Sequence, residues 1–416
     1  MGQAGRRRDA PSAPPTSAPR IAYQALPLTS GEHRGTVATA AGVELVTAQG
    51  LREYADPYAQ PSRSRPYRHA TWTAPEYEPG FTFRELVATW HGHTPAGSWL
   101  EVCARARSAG VWSGWLVLAR WADHDAEVHP TSVPHQANEI ARVATDTLRV
   151  DAGADAWQLR VTLLRPAPGR AAGPVLTYAG AMVSTATRAP SRLRARSAPG
   201  RVTRLRAAPI GPAAGRVLDV PPLSQRVHSG HYPQWGGGGD AWCSPTSTAM
   251  VLAYWGTGPD TGATAWVDPG YPDPSVCHAV RHCYDHAYGG AGNWSFNAAY
   301  AAGFGLRTFV TRLRDLTEAE TFVAAGIPLI ASFVVDPDRM AGAEYRSAGH
   351  LAVVCGFTRS GDVVVNDPAA SDVDSVRRVY RRADFEAAWR QGSAGLVYVM
   401  HPPAVPLPVR PAEANW

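Results

Sequence analysis

Four side chains in this chain could together break an amide bond: Cys243, His350, Asp367 and Gln225. The cysteine lies in "YPQWGGGGDAWCSPTSTAMVLAYW", residues 232–255. Gly236–Gly239 cannot start a helix, whereas "CSPTSTAMVLAYW" can: Pro245 suits a first turn, and Met250, Val251 and Tyr254 form an apolar stripe. Cys243 therefore falls at or just before a helix N-terminus, where unpaired N–H groups and the positive end of the dipole favour a thiolate. Asp240 opposes that effect if it lies close. A buried, unreactive cysteine would carry the same local pattern. The glycines suit a pliable approach that lets a substrate backbone lie beside Cys243. They do not suit a phosphate cradle, which needs Lys-Ser/Thr after its last glycine; here "DAWCSPTS" follows, and the chain has no lysine.

A thiolate needs a base. "SAGHLAVVCGFTRSGDVVVNDPAA" contains two β-rich runs joined by the turn sequence "TRSGD". His350 opens the first run and Asp367 closes the second, so an antiparallel hairpin brings imidazole and carboxylate together at its open end. A one-residue slip in register would turn either side chain to the wrong face. Pro368 holds Asp367 out of the helical region and ends the strand. The ordinary alternatives are a strand-end histidine and a turn-forming aspartate. A side-chain amide at Gln225, in "LDVPPLSQRVHSGHY", paired with the Cys243 N–H would make an oxyanion hole, but the residues alone read it equally as a surface glutamine. His228 and His231 are nearby polar candidates.

The elements that must position these groups fall into two domains. The chain has 416 residues and is 45% hydrophobic, enough for two domains each with its own core. Residues 1–30 are Pro/Ala/Ser/Arg-rich and read as a disordered tail. From 31 to 187 strands dominate: "SWLEVCARAR" alternates Leu100, Val102, Ala104 and Ala106 against Glu101, Cys103, Arg105 and Arg107. "AWQLRVTLLR" alternates in the same way, and "GWLVLARW" is a third run. Period-two alternation with short gaps predicts an antiparallel β-sandwich. Its tryptophans (Trp90, Trp99, Trp112, Trp115, Trp121) read as core and edge residues rather than a sugar platform. Residues 188–216 break all periodicity and read as an Arg/Pro/Ala-rich linker. The second domain, 217–402, is α+β. Its helices are expected at Cys243–Trp255, Val276–Ala287, Ser295–Ala302 and Leu316–Ala325, and its strands at Pro328–Val335, Gly349–Phe357, Asp362–Asn366 and Leu396–His401. Residues 403–416 read as an extended Pro-rich tail.

Other readings fall away. The basic clusters, Arg6–Arg8 and Arg188–Arg206, sit in low-complexity stretches, so no nucleic-acid surface is expected. No stretch approaches the ~20 apolar residues of a membrane span. "MGQAGRRRDAPSAPPTSAPR" lacks an apolar segment, so no secretory signal is expected. His278, His282 and His286 recur at helical spacing beside Cys277 and Cys283; without H-E-x-x-H this reads as a solvated helix face rather than a metal site. A Cys277–Cys283 disulfide is not expected, because continuous helix separates such Cα atoms by ~9 Å, beyond the ~7 Å that a bridge tolerates.

Taken together, "VPPLSQ", "WCSPTSTAMVLAYWG", "GHLAVVCGF" and "VVVNDPAA" resemble the papain-fold cysteine peptidases of the bacteriocin-processing type. They resemble more closely the stand-alone peptidase C39-like proteins of actinobacteria. "GAGNWSFNAAYAAGFGLRTFV" and "VRRVYRRADFEAAW" are similar to the same subgroup, and the β-domain looks like its usual N-terminal companion. The resemblance implies a papain-like fold for the second domain, with Cys243 as nucleophile and His350 as general base and acid. It implies Asp367 as the residue orienting the imidazole and Gln225 as oxyanion-hole donor. It further implies no cofactor or metal, a peptide or cell-wall peptide substrate, and an extracellular setting. Ser244 departs from the commoner glycine and is expected to crowd the backbone near the substrate. The double-glycine leader substrate is not carried over, because the members that cut it are fused to transporters. An acyl transferase using the same thiol, or a catalytically silent binding protein on the same fold, are the alternatives. Nothing in the sequence sets the oligomeric state.

Overall fold

The computed structural model describes residues 19–95, 97–167, 169, 172–186 and 208–416. The expectations for residues 1–18 and 187–207, in the tail and the linker, lie outside the described residues. Strands and helices are numbered along the chain.

The alternating segments form two seven-stranded antiparallel sheets. The first holds β1 (Ile21–Ala25), β3 (Thr36–Ala38), β4 (Val43–Leu45), β7 (Phe83–His93), β11 (Arg142–Ala144), β12 (Thr147–Ala154) and β14 (Val175–Ser184). The second holds β2 (Glu32–Arg34), β5 (Gly50–Ala55), β6 (Ser64–Thr73), β8 (Trp99–Ser108), β9 (Val111–Trp112), β10 (Leu116–Trp121) and β13 (Ala156–Pro166). Register follows the apolar pattern: Leu100 faces Leu163 and Val102 faces Val161 across β8 and β13, all fully buried. Trp90, Trp99 and Trp121 are core residues, whereas Trp112 and Trp115 lie at the edge under the Arg105 guanidinium.

The second domain carries a six-stranded antiparallel sheet in the order β15 (Arg307–Arg312), β20 (Leu396–His401), β16 (Leu329–Val335), β17 (Ser347–Phe357), β18 (Val363–Asn366), β19 (Arg377–Tyr380). Five helices accompany it: α1 (Cys243–Tyr254), α2 (Pro274–Cys283), α3 (Trp294–Ala302), α4 (Leu316–Ala324) and α5 (Arg382–Ser393). α1 is buried from Ser244 to Leu252, so it is a core helix rather than one with a single apolar stripe.

Several boundaries differ from the sequence reading. Ile21–Ala25, assigned to the tail, pairs with β14 as a strand. Residues 208–216, assigned to the linker, dock on the second domain: the backbone N–H groups of Gly211 and Ala213 donate to Glu320. The Pro-rich C-terminal stretch also docks, burying Asn415 and Trp416. Asn415 donates to the Arg312 carbonyl, and Tyr23 of the β-domain donates to the Ala414 carbonyl.

The two domains do not keep separate cores. One cluster of buried apolar residues runs through both, beside a small satellite around Tyr54, Tyr67 and Trp99. Phe296 of α3 meets Trp121 with ring centroids 5.0 Å apart and Trp90 at 6.1 Å, which joins both β-domain sheets to the second domain. Across the same interface Arg312, wholly buried, donates to Glu85 at 2.5 Å. The predicted helix 276–287 ends at Cys283, and its histidines are not a solvated face. His282 donates to the Asp123 carbonyl and His286 to the Pro130 carbonyl, both in the β-domain, while His278 is buried against Tyr300. All five cysteines are free. Among the described residues no cluster of three or more His, Cys, Asp or Glu could hold a metal ion. No helix among them is long and apolar enough to cross a membrane.

Candidate active site

Cys243 is the first residue of α1, preceded by the short 3-10 turn Gly239–Ala241. The glycines before it serve a different purpose from the one expected. They do not line the cleft. A Cβ on Gly239 would stand 2.1 Å from the Gln225 carbonyl oxygen and one on Gly238, at φ +80°, 2.8 Å from the Gly230 nitrogen, so these two positions are glycine because they press against residues 225–231. The same packing carries Asp240 toward Arg226, whose Nη1 lies 2.5 Å from the carboxylate. The charge that would have opposed a thiolate thus has a cationic partner.

β17 and β18 form the expected hairpin, with Val353 opposite Asn366. His350 faces Phe333 of β16, and its Nε2 meets Asp367 Oδ1 at 2.8 Å. The other ring nitrogen is left for the Cys243 thiol, and each of the two side chains shifts the protonation of the other. Asp367 is fully buried. Beyond His350 it accepts from the Ala369 N–H at 3.0 Å, from Tyr345 Oη at 2.8 Å and 3.0 Å, and from Tyr380 Oη at 3.2 Å.

The electrostatics follow from this geometry. Burial pushes the Asp367 carboxyl up, but the His350 charge and the convergent donors outweigh it and hold it at about 2. Burial pushes the His350 imidazolium down, and Asp367 with the neighbouring thiolate lifts it to about 10. Burial also raises the Cys243 thiol, yet the hydrogen bond and charge of His350 carry it below its ordinary value. The other four cysteines move the opposite way, raised chiefly by burial. All three directions favour a thiolate–imidazolium pair backed by a carboxylate.

Gln225 is 2% exposed and borders the cleft. Its backbone N–H donates to Pro368, which ties it to the Asp367 segment, and its Nε2 donates to the Asp240 carbonyl at 2.9 Å. The second Nε2 hydrogen remains for an oxygen in the cleft. Ser244 does not crowd the site. It is buried behind the thiol, with Oγ 3.0 Å from Tyr398 Oη. His228 and His231 also face elsewhere: His228 packs on Trp242, and His231 stacks on Tyr271.

The cleft has a volume of about 540 Å³. Besides Cys243, His350 and Gln225 it is lined by Tyr345–Ser347, by Tyr288–Gly292, and by Ala144–Thr147 and Arg149 of the β-domain, while Asp367 lies buried behind His350. Sequence reasoning missed the two tyrosines on Asp367 and the β-domain wall. Tyr345, just upstream of His350 in "AEYRSAGH", offered a weak signal; the wall offered none.

Comparison with known families agrees with this division. A family model described as Peptidase C39 N-terminal domain matches residues 22–184, and one described as Peptidase_C39 like family matches residues 217–395. No curated protein matches the chain.

Proposed function

Since the chain belongs to the peptidase C39-like family and carries its actinobacterial N-terminal domain, we propose that it is a cysteine hydrolase cleaving amide bonds in peptides. The observation that carries this reading is the Cys243 thiol and the His350 imidazole lining one cleft, with Asp367 buried against the imidazole, Nε2 to Oδ1 at 2.8 Å. A helix bearing a thiol at its N-terminus, packed on a sheet that bears the histidine, also favours a papain-like arrangement of the second domain.

In this mechanism the Cys243 thiolate attacks the substrate carbonyl carbon. The oxyanion takes hydrogen bonds from the Cys243 backbone N–H and from Gln225 Nε2. His350 gives its proton to the departing amine nitrogen as the C–N bond breaks, leaving a thioester. A water then gives a proton to His350 and its oxygen to the thioester carbonyl carbon, and the C–S bond breaks to release the carboxylic acid and restore the thiolate–imidazolium pair. Asp367 keeps the imidazole oriented and stabilises its protonated form.

Cys243→Ala should reduce turnover of a peptide library to background while leaving the thermal transition in place; an unchanged rate ends the assignment. Iodoacetamide should label Cys243 at mildly acidic pH, where the raised thiols of Cys103 and Cys355 stay unreactive. Labelling of Cys243 no faster than these two would favour a catalytically silent protein.

A further inference from the structure

The cleft is not built by the second domain alone. The tight connection between β11 and β12 brings Ala144–Thr147 to its rim, and Arg149 follows on β12. Thr145 has φ +58°, a conformation that β-branched residues rarely adopt. The turn is held across the domain boundary by Asp146, whose carboxylate accepts from the Trp294 N–H at 3.0 Å and from Thr147 Oγ1 at 2.9 Å. A strained turn anchored to the N-terminus of α3 makes a fixed wall.

Three arginines border the cleft. Arg226 is bound to Asp240, and Arg346 to Asp336 and Asp338. Of these three, Arg149 has no hydrogen-bonded carboxylate among the described residues. Its nearest anion is Glu85, with Nε 3.4 Å from Oε1, but Glu85 is held at 2.5 Å by Arg312. The Arg149 Nε is buried without a hydrogen bond. Two arginines thus share one carboxylate, and the more loosely held of them is half-buried at the cleft.

The geometry points to Arg149 as a specificity-determining residue that receives a carboxylate of the peptide substrate, an inference that rests on the hydrolase reading above. A guanidinium offers two parallel N–H donors that match a carboxylate, and partial burial strengthens the pairing over its value in water. The carboxylate comes either from an acidic side chain near the scissile bond or from a free C-terminus. The selecting wall then belongs to the β-domain and the chemistry to the other domain.

The test uses the full chain and matched peptides carrying Glu, Gln or Lys at each position around the cleaved bond, each as free acid and as C-terminal amide. The wild type should favour Glu over Gln at one position, or acid over amide, by about 10- to 100-fold in kcat/KM. Which comparison shows the preference identifies the source of the carboxylate. Arg149→Gln should bring that ratio close to one, and Arg149→Lys should keep much of it; partial unfolding of a variant cancels in the ratio. A wild-type ratio near one throughout, a preference that survives Arg149→Gln, or a preference for Lys, which would assign the wall's charge to Asp146, each overturns the inference. Binding of the same peptides to Cys243→Ala separates the two readings. Binding with the carboxylate preference but no cleavage by the wild type sinks the hydrolase and keeps Arg149. Cleavage without the preference sinks Arg149 alone, and absence of both binding and cleavage overturns both.

Discussion

Among the described residues, two of the ion pairs that lie almost wholly out of water do opposite things. His350–Asp367 meets the cleft through His350, with side-chain exposures of 4% and 0%, and Arg312–Glu85 sits between the domains at 0% and 1%. Both place a cation against a carboxylate within hydrogen-bonding distance, and both satisfy further polar neighbours. Arg312 also donates to the Ser393 and Ala186 carbonyls, and Asp367 accepts from two tyrosines. The difference is the proton. A guanidinium does not release one at any accessible pH, so the interface pair can only hold. An imidazolium releases one, and a thiol stands next to it. Burial of charge alone does not mark a reactive site; burial of a titratable pair against a nucleophile does.

Each pair can be broken to sharpen that contrast. The largest effect is expected from Asp367→Asn, which keeps the shape but removes the charge that holds the imidazolium. kcat/KM should fall by about 10³-fold or more. The wild-type pH–rate profile should be bell-shaped. The rate rises as the thiol deprotonates, below its ordinary range, and falls as His350 loses its proton at about 10. In Asp367→Asn the alkaline limb should move to lower pH, since the raising influence on His350 is gone. A limb that stays near 10 would mean that Asp367 does not set the imidazole's charge state.

Arg312→Met should act on stability instead. It takes from the buried Glu85 carboxylate its closest cation, leaving Arg149 at 3.4 Å, and should cost up to about 3–5 kcal/mol of unfolding free energy, read by denaturant melts. The rate at which iodoacetamide labels Cys243 should stay within about threefold of the wild type, a small effect on the transition-state scale. Adding Glu85→Leu should recover part of the loss, because the weakly compensated charge goes with it while Arg149 gives up its partner. A large change in labelling would show that the two pairs are not independent. The smallest effect is expected from Tyr345→Phe. It removes the closest tyrosine hydrogen bond to Asp367 but leaves Tyr380 and the Ala369 N–H, so turnover should drop by about tenfold or less. A loss matching that of Asp367→Asn would move Tyr345 from a supporting to a decisive role.

The parts of this arrangement that could be read from the sequence are those set by local pattern. Cys243 follows a helix-breaking run, and the ends of one hairpin must meet, so His350 and Asp367 could be paired without knowing anything beyond "TRSGD". Gln225 had no such local signature and came only from the resemblance. What escaped was non-local. His278, His282 and His286 share helical spacing, but nothing in α2 says what covers that face, and the β-domain does. The break after Cys283 was missed because "CYDHAY" carries neither proline nor glycine. Tyr380 reaches Asp367 from a neighbouring strand, and Arg149 reaches the cleft from another domain; no spacing along the chain encodes either contact.

The continuous buried cluster through Trp90, Trp121 and Phe296 has a consequence for how the molecule comes apart. Stability that is shared across a boundary cannot be divided there. Cutting the chain in its Arg-rich connection would bare an apolar face on each half rather than free two working modules, and heating should melt both together in one cooperative transition.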